Sequence, residues 1–538
     1  MTDSKREIER KYEATPETRL PDLTRVAGVS AVVHRGLTEL DAVYHDTEDL
    51  RLAADSLTLR RRTGGADAGW HLKLPVSAGV RDEIRAPLAD TLPSGLAALL
   101  RSRVRGRPVI PVVRVLSARD VHHLLDADGA LLAEVSVDEV LAERLTRTGR
   151  GITSAWTELE VELADDGDPA FLDAVERPLR EAGVRPSPAP SKLARALAET
   201  APDQEGKERA GEMPRREQPG GEQPGGEKQG GGRQPEHRPA KEPRTTAGDH
   251  VLAYVRRQVA ALVELDPAVR RDLPGSVHRM RVASRRLRGA LKTYRTVLDP
   301  AATRPLRAEL KWLAGELGTD RDREVVDARL RARVTAVPGT LLLGPVSARL
   351  QLSSAARRTA SRGRVLAALD SDRHLTLLDG LDAFLADPPL LPRAARDPEE
   401  ALPHAVLKDH RRLAARTGRA LAQPPGTDRD VAMHEARKAA KRVRYAAEAA
   451  RPALGKPAKK LARRTKAVQR ILGDHQDGVL ARDALRTLAV QAHEAGESAF
   501  TWGLLYGREE AAAAAREREL PEVWARASRP GPRKALKG

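Results

Sequence analysis

Residues 7–11 read Glu-Ile-Glu-Arg-Lys, and residues 158–163 read Glu-Leu-Glu-Val-Glu-Leu. In both stretches charged side chains alternate with aliphatic ones, which is the period-2 pattern of a β-strand with one apolar face. The same alternation recurs in the N-terminal part of the chain, at residues 57–60, 70–74, 81–85 and 132–138. Because the apolar faces of these strands would form a core, the sequence predicts a strand-rich N-terminal domain.

The opposite faces of these strands are charged, and most of them carry mainly one sign. Basic side chains stand at Lys11, Arg60, Arg62, Lys73 and Arg85, and acidic ones at Glu7, Glu9, Asp138, Glu160 and Glu162. A solvated sheet face would explain any one such strand. Several such strands favour the alternative, in which the charged faces converge on one cavity. There, cationic groups would bind phosphate oxygens and carboxylates would bind Mg²⁺ or Mn²⁺.

At these residues the chain resembles the CYTH, or triphosphate tunnel metalloenzyme, superfamily. The matching motifs, in the family's order, are Glu7-Ile8-Glu9-Arg10-Lys11, a turn at Tyr44-His45-Asp46-Thr47, Leu59-Arg60-Arg61-Arg62, Trp70-His71-Leu72-Lys73, Glu158-Leu159-Glu160-Val161-Glu162 and Ser191-Lys192. The resemblance covers about residues 5–200. It implies that residues 1–200 form an α+β domain whose antiparallel eight-stranded β-barrel is a tunnel for a triphosphate.

The resemblance also implies roles for the charged side chains. The catalytic phosphate-binding groups would be Lys11, Arg60, Arg62 and Lys73, and further substrate-binding groups would be Arg85, Arg119 and Lys192. The ligands of the divalent cation, Mg²⁺ or Mn²⁺, would come from the acidic residues Glu7, Glu9, Asp138, Glu158, Glu160 and Glu162. The resemblance does not decide which neighbouring pair of the last three, 158 and 160 or 160 and 162, is meant. The stretch 114–119 departs from relatives of this architecture, because Leu116 and Ala118 are apolar where arginines are often clustered.

The rest of the chain divides by composition. We expect helices near residues 17–30, 92–102, 168–182 and 189–199 in the first domain. Residues 201–247 are rich in Gly, Pro, Gln and Glu and nearly free of large apolar side chains, which predicts a disordered linker. Residues 248–528 show the Ala/Leu/Arg patterns of helices of 15–25 residues. Residues 529–538 are expected to form a flexible tail.

The helical part contains an internal repeat. The segment from Val277 aligns without gaps with the segment from Met433 at an offset of 156, and the stretches from Lys311 and Lys466 align at an offset of 155. Such self-similarity predicts a duplicated helical bundle. In each repeat four basic side chains follow 3-4-3 spacing on one helix face, namely His278, Arg281, Arg285 and Arg288, and His434, Arg437, Lys441 and Arg444. A solvated face would explain one such helix, but its duplication favours an anionic partner.

These segments resemble the CHAD domain, the conserved-histidine α-helical module, over about residues 248–528. The resemblance implies binding of inorganic polyphosphate in a basic groove between the repeats. Further groove candidates are Arg286, Lys311, His410, Arg411, Lys438, Arg442 and Lys466. His434-Glu435 begins like a zinc-protease motif, but Lys438 stands where the second histidine is required, so that interpretation fails.

Net charge and composition indicate which classes of binding partner the protein favours. Lysine and arginine exceed the acidic residues by 17, and residues 248–538 alone carry a net charge of +22, which attracts polyanions. Aromatic residues make up only 3% of the chain, which disfavours base-stacking platforms and makes nucleic acid the less favoured partner. The chain has no cysteine and shows no apolar run of secretory-signal or membrane-spanning length. We therefore expect a cytoplasmic protein without a membrane partner.

The leading hypothesis is metal-dependent hydrolysis of inorganic triphosphate or polyphosphate, or of another triphosphate, in the N-terminal tunnel, with polyphosphate bound by the helical domain. The alternative is a non-catalytic adaptor that binds polyphosphate without turnover. Nonspecific nucleic-acid binding by the basic half is a third class. The tunnel residues do not separate hydrolase from cyclase chemistry, and they do not identify the triphosphate.

Overall fold

The computed structural model describes residues 3–146, 149–201 and 245–536. It divides into two compact units, Met1–His237 and Arg238–Gly538. Most of the predicted linker, residues 202–244, lies outside the described residues. Its last residues belong to the second unit, because Thr246 caps a helix that begins at Ala247.

The first unit is a closed antiparallel ring of strands. The strands are β1 (Asp3–Ala14), β2 (Ala31–Asp46), β3 (Thr58–Thr63), β4 (Gly69–Ser77), β5 (Val80–Ala86), β6 (Ile110–Leu125), β7 (Leu131–Thr146), β8 (Gly149–Leu163) and β9 (Arg185–Pro186). Their order is β5-β4-β3-β2-β6-β7-β8-β1-β9, and β5 also pairs with β1 to close the ring. The two-residue β9 only extends the edge of β1. The predicted eight-stranded antiparallel barrel is confirmed.

Four helices accompany the ring: α1 (Arg51–Ala54), α2 (Ser94–Val104), α3 (Ala170–Glu181) and α4 (Lys192–Glu199). Helices α2 and α3 cover the outer, apolar faces of the strands, where Leu96 packs near Leu72 and Val175 packs near Val161. Helix α4 is different, because Leu193 and Ala196 pack with the ring's inner side chains. The apolar faces therefore point outward to the helices, and the charged faces point into the ring.

The predicted helix at 17–30 is wrong. The structure has only a 3-10 turn at Leu23–Arg25 in this stretch, and β2 begins at Ala31. Leu23, Val26 and Val29 are buried at a spacing of three, which imitates helical periodicity. The predicted turn at Tyr44-His45-Asp46-Thr47 is also displaced, because β2 continues through Asp46.

The second unit is helical. Its helices are α5 (Ala247–Arg270), α6 (Ser276–Thr293), α7 (Pro300–Glu316), α8 (Gly318–Thr335), α9 (Val346–Asp370), α10 (Asp372–Ala386), α11 (Pro398–Ala422), α12 (Thr427–Glu494), α13 (Phe500–Ala527) and α14 (Gly531–Lys534). Helix α12 is two helices in effect, since Gly455 has φ 54° and ψ −132° and breaks it. That break occupies the place in the second repeat that the α6–α7 connection holds in the first.

Residues 529–536 are the described part of the segment that the sequence predicts as a flexible tail. They include α14, and the side chain of Leu536 is buried in the main helical core. The tail is ordered there because an apolar side chain follows the short helix and finds a core to join. Among the described residues, none of the helices combines the length and the apolar character that a membrane crossing requires.

Candidate functional site

The strand alternation turns charged side chains from most of the ring into one cavity of about 270 Å³. Thr58, Arg60 and Arg62 face inward on β3 because Leu59 faces the outer core. The predicted residues that line the cavity are Glu7, Glu9, Lys11, Arg60, Arg62, Lys73, Arg85, Arg119, Glu160, Glu162 and Lys192. Asp138 and Glu158 lie beside it, in contact with Lys192. The structure thus brings the predicted tunnel residues to one site.

A buried acidic cluster surrounds the start of α4. Oxygen atoms of Asp138, Glu158 and Glu160 lie within 4.8 Å of one another. The Lys192 Nζ contacts all three, at 2.9 Å from Asp138, 2.6 Å from Glu158 and 2.8 Å from Glu160. Burial alone would lower the pKa of Lys192, but the carboxylates around it raise that pKa well above its ordinary value. The ammonium therefore stays charged and holds the cluster together.

Arg119 is the second cation on this cluster. Its Nε and Nη2 donate to the two oxygens of Asp138 at 2.7 and 2.8 Å, and Nη2 also lies 2.7 Å from Glu160. Such a fork is the geometry with which guanidinium groups bind carboxylates and phosphates. Burial opposes ionisation of Glu160, but Lys11, Lys192 and Arg119 outweigh it and hold the pKa of Glu160 well below its ordinary value.

Further ion pairs in the cavity join side chains of β1, β4 and β8. The Lys73 Nζ is 2.6 Å from Glu7, and Lys11 contacts both Glu9, at 3.2 Å, and Glu160. Burial would lower the pKa of Lys11, yet Glu160 and Glu9 raise it to about 12. Burial also opposes ionisation of Glu9, but Lys11 and Lys73 hold the pKa of Glu9 below its ordinary value. Lys11 and Glu9 therefore form a charged pair in the cavity wall.

Arg62 is paired with Asp67 and lies close to two further guanidinium groups. Burial, and then the neighbouring Arg60 and Arg119 guanidiniums, lower the pKa of Arg62 to about 9. A guanidinium normally titrates far above that value. Cations crowded together in this way repel one another, and a bound anion would reduce that repulsion.

Glu83 and Tyr44 also line the cavity, although neither was among the predicted site residues. Glu83 is 1% exposed and accepts a hydrogen bond from the buried His71 at 2.9 Å, and it also contacts Arg85. Tyr44 faces the cavity with its hydroxyl 3.5 Å from Arg60. The alternation of β5 already indicated the inward position of Glu83, whereas Tyr44 lies on a strand that was taken for a turn.

The residues present fit a divalent cation. Oε2 of Glu7 is buried and has no hydrogen-bond partner among the described residues. Glu7, Glu9 and Glu160 line the same cavity, and oxygens of Asp138, Glu158 and Glu160 lie within 4.8 Å of one another beside it. Carboxylate oxygens are the donors that Mg²⁺ and Mn²⁺ prefer. The described part of the chain therefore holds an acidic site with an oxygen still available for a ligand.

The second unit has a basic groove of about 380 Å³ at the junction of the two repeats. The predicted residues that line it are Arg281, Arg285, Arg288, Lys311, His434, Arg437, Lys438, Lys441 and Arg442. Lys292, which was not predicted, joins them. Arg442, and then burial, lower the pKa of Lys292, so the groove too concentrates positive charge.

Equivalent contacts recur in the two repeats. The Cβ that an alanine would add at Gly318 would lie 3.2 Å from Arg281, and one at Gly473 would lie 3.7 Å from Arg437. These glycines and arginines correspond to each other at the offsets of 155 and 156. Each glycine therefore leaves room for the guanidinium of the groove arginine beside it.

Six of the predicted groove residues lie elsewhere. Arg286 and Arg444 turn to Glu448, at 3.3 and 3.2 Å, and both lie over the Tyr445 ring. His410 is 3% exposed and stacks on Trp524, and burial lowers its pKa to about 4. The side chains of His278, Arg411 and Lys466 are exposed outside the groove lining.

These differences have a geometric cause. The 3-4-3 spacing places Arg444 on the face of Arg437, but Arg444 contacts Glu448 and Tyr445 instead, whereas Arg442, two residues earlier, lines the groove. The structure also reveals a continuation that the sequence analysis missed. Lys292 and Arg442 line a second concavity, of about 340 Å³, together with Arg412, Arg416 and Arg419 of α11. No repeat marked α11, because the aligned segments begin in α6, α7 and α12.

His434 is fixed in the groove by a neighbour from the second half of α12. One ring nitrogen, Nδ1, lies 2.6 Å from Oε1 of Gln476. Burial, followed by Lys438 and Arg437, keeps the pKa of His434 below its ordinary value, despite the opposing hydrogen bond to Gln476. This hydrogen bond orients the imidazole at the groove wall.

A closed antiparallel ring lined by both signs of charge, followed by a helical bundle with a basic groove, defines a two-domain class of protein. The CYTH domain family matches residues 5–197, and the CHAD domain family matches residues 253–486. The chain is 36% identical to the uncharacterized protein MT2285 of Mycobacterium tuberculosis over 534 residues, which is 96% of this chain and 95% of that protein. The chain belongs to the family of proteins that join a CYTH domain to a CHAD domain.

Two solved structures are similar to parts of the chain. PptA from Streptomyces chartreusis is 22% identical with a TM-score of 0.44, and the match covers 52% of this chain and 99% of that one. The CHAD domain from the plant Ricinus communis is 28% identical with a TM-score of 0.38, over 52% of this chain and 89% of that one.

Proposed function

We propose that the protein hydrolyses inorganic triphosphate or polyphosphate, or another triphosphate, in its N-terminal ring with the help of Mg²⁺ or Mn²⁺. Its helical domain would bind polyphosphate. One observation carries the proposal: the ring turns lysines and arginines from β1, β3, β4, β6 and α4 into the same small cavity as the carboxylates of β1 and β8. Phosphate oxygens and a divalent cation are the ligands that this combination suits.

The basic side chains would bind and orient the substrate. Arg60, Lys73 and Arg119 would donate to phosphate oxygens and stabilise the negative charge that develops on them during attack by water. Their positions are set before substrate arrives, since Lys73 is held by Glu7 and Arg119 by Asp138. Glu7, Glu9 and Glu160 would hold the divalent cation, with Asp138, Glu158 and Glu162 beside them. When bound, such a cation would neutralise phosphate charge and activate the attacking water.

Helix α4 would exclude water from one part of the ring. Leu193 and Ala196 pack inside it against Val113, Val115 and Ala142. Lys192, at the first turn of the same helix, projects from this apolar plug to the cavity. Substrate would then meet fixed charges in a confined site, where electrostatic interactions are stronger than in water.

Glu9→Gln tests the metal role of the cavity carboxylates. We expect phosphate release from tripolyphosphate, measured with Mg²⁺ or Mn²⁺, to fall by about 10²–10³-fold, because one charged group aimed at the reacting centre is lost. Asp82→Asn is the matched control, since Asp82 is also buried but pairs with Arg6, at 2.5 Å, on the outer side of the ring. Equal losses in both variants would contradict the proposal. A panel of tripolyphosphate, longer polyphosphate, nucleoside triphosphates and thiamine triphosphate identifies the substrate.

A second candidate function is a polyphosphate-binding adaptor without turnover. One observation favours it: Lys192 and Arg119 already occupy oxygens of Asp138, Glu158 and Glu160. If these pairs persist, the ring would bind phosphate groups but hold no cation at that cluster. Saturable tripolyphosphate binding with no phosphate release under any divalent cation would select the adaptor.

Arg288→Ala tests the groove of the helical domain. Arg288 lines the groove, and burial, followed by the nearby Arg307, lowers its pKa. A bound polyanion would offset the repulsion between these two guanidinium groups. We expect polyphosphate binding to weaken by about 3–10-fold and its salt dependence to become shallower, because one phosphate contact is lost. Arg286→Ala removes the same charge from the same helix but at the Glu448 pair, and should weaken binding less. Competition with DNA at matched salt distinguishes polyphosphate from nucleic acid as the preferred polyanion.

A further inference from the structure

Two histidines and an aspartate meet on β2 and β6, away from the cavity. A ring nitrogen of His34, a ring nitrogen of His122 and a carboxylate oxygen of Asp120 lie within 4.8 Å of one another. The His34 Nε2 is 2.5 Å from Oδ1 of Asp120, and the two imidazole rings lie 4.9 Å apart at an angle of 38°. The cluster is open to solvent, with 60% of the His34 side chain and 40% of the Asp120 side chain exposed.

The outer surface of the ring carries this cluster. On β6 the inward position is Arg119, so Asp120 and His122 face the opposite way, on the same side as the buried outer-core residue Leu124. His34 pairs directly with His122 across the sheet and therefore shares its face. The cluster is thus distinct from the tunnel, whose carboxylates lie on the inner face of the same wall.

A bulge in β2 creates the arrangement. The pairing shifts between His34 and Gly36, so Arg35 is the extra residue, and Gly36 has a φ of +95°. Without the shift, strict alternation would place His34 on the face of Gly36, turned away from His122. The bulge re-aims one imidazole toward the other, which is a recurrent use of bulges near functional sites.

A simple hydrogen-bonded pair would account for His34 and Asp120, but it would not account for His122. The Nδ1 of His122 is buried and has no hydrogen-bond partner among the described residues. Burial lowers the pKa of His122, and the nearby His34 lowers it further against the opposing effect of Asp120. The two imidazole rings thus place ring nitrogens side by side, and Asp120 adds a carboxylate.

We infer that His34, Asp120 and His122 form a site for a divalent transition metal of the Zn²⁺ class, separate from the hard-cation site proposed in the tunnel. Imidazole nitrogens with one carboxylate are ligands of borderline metals, whereas Mg²⁺ and Ca²⁺ select oxygen donors. Three protein ligands leave a coordination position for water or for a group from a partner. The bound ion would bridge β2 and β6 beside the bulge.

Zinc titration of the metal-stripped full chain, in excess Mg²⁺ to saturate oxygen-donor sites, tests the inference. Isothermal titration calorimetry should show one zinc site. We expect His122→Ala or His34→Gln to lower its zinc affinity by at least about tenfold, since even mutation of a residue that only hydrogen-bonds to a metal ligand lowers metal affinity by that much. His123→Ala is the matched control, because it removes the next histidine on β6, whose partner Glu134 lines the inner cavity. The control should bind Zn²⁺ as the wild type does.

Thermal unfolding gives a second, independent readout. Zn²⁺ should raise the unfolding temperature of the wild type and of His123→Ala, but not of His34→Gln, because a ligand that binds the folded state stabilises it. Should a histidine variant fail to fold, Asp120→Asn takes its place, with weaker zinc binding expected. Unchanged zinc affinity and stoichiometry in Asp120→Asn and in the folded histidine variants would overturn the inference. Loss of zinc binding with tripolyphosphate hydrolysis retained would show that the site is independent of the tunnel.

Discussion

Arg60→Ala is expected to lower kcat/KM for tripolyphosphate hydrolysis by about 10²–10³-fold, the usual cost of removing one preorganised charge from a reacting centre. Arg60 lines the cavity, 3.5 Å from Tyr44 and 3.9 Å from Glu83. Burial would lower its pKa, but Tyr44 and Glu83 raise it above its ordinary value, so the side chain is always charged. Steady-state phosphate release measures the effect.

The neighbouring arginine on the same strand is the control. Arg61 faces the outside of the ring, where its Nε donates to the Ala89 carbonyl at 3.0 Å. Arg61→Ala removes the same charge one position away, yet it should leave kcat/KM nearly unchanged. If both variants lost activity equally, the face on which the charge lies would be irrelevant, and the tunnel account of activity would fail.

Lys192→Met is expected to have the largest effect on stability. Lys192 is 8% exposed and is shared by three carboxylates, so its removal leaves buried negative charge uncompensated. Breaking a buried ion pair by removing one partner typically costs about 3–5 kcal/mol. Amide hydrogen exchange in β7 and β8 of the full chain measures the loss as a lower free energy of local opening.

Two further measurements separate charge from packing at Lys192. Lys192→Arg keeps a cation at the cluster and should lose less protection than Lys192→Met. Added Mg²⁺ should restore part of the lost protection in Lys192→Met, because Asp138, Glu158 and Glu160 then offer oxygens to the ion. Unchanged exchange in Lys192→Met would contradict the role assigned to this ammonium.

The barrel could be predicted because its strands carry an unusual pattern. Alternation with a charged face is visible at β1, β3, β4, β7 and β8, and the outcome follows once those faces share an interior. The long strands β2 and β6 were not predicted, because they lack a clear alternation of charged and apolar side chains. Around Val113 and Val115 the inward face of β6 is apolar where it meets α4, so the strand shows no charge alternation there.

The basic groove was only partly predictable, because a repeat shows which helices correspond but not how each is rotated. Arg442 and Arg444 are both plausible from spacing, and only the packing of Tyr445 against the guanidiniums of Arg286 and Arg444 turns the latter away. His410 is similar, since a histidine between a lysine and arginines suggests a surface site, yet Trp524 of α13 covers it. The contribution of α11 depends on tertiary packing and leaves no local signal.

The metal site inferred on the outer surface of the ring also depends on a feature that the sequence does not show. His34 and His122 are 88 positions apart, and a one-residue bulge decides whether they share a face. Neither spacing nor composition reports a bulge of that kind, although Gly36 marks a place where it can occur. Sequence patterns thus predict faces within an element better than registers between elements.

In the proposed function, charges from separate strands surround a triphosphate inside the ring. The most direct test is a crystal structure of the full chain with the non-hydrolysable analogue diimidotriphosphate and Mg²⁺. The account predicts the analogue within the ring, with its phosphate oxygens within hydrogen-bonding distance of Arg60, Lys73 and Arg119. An analogue bound only on the outer surface of the ring, with the cavity side chains still paired to one another, would contradict it.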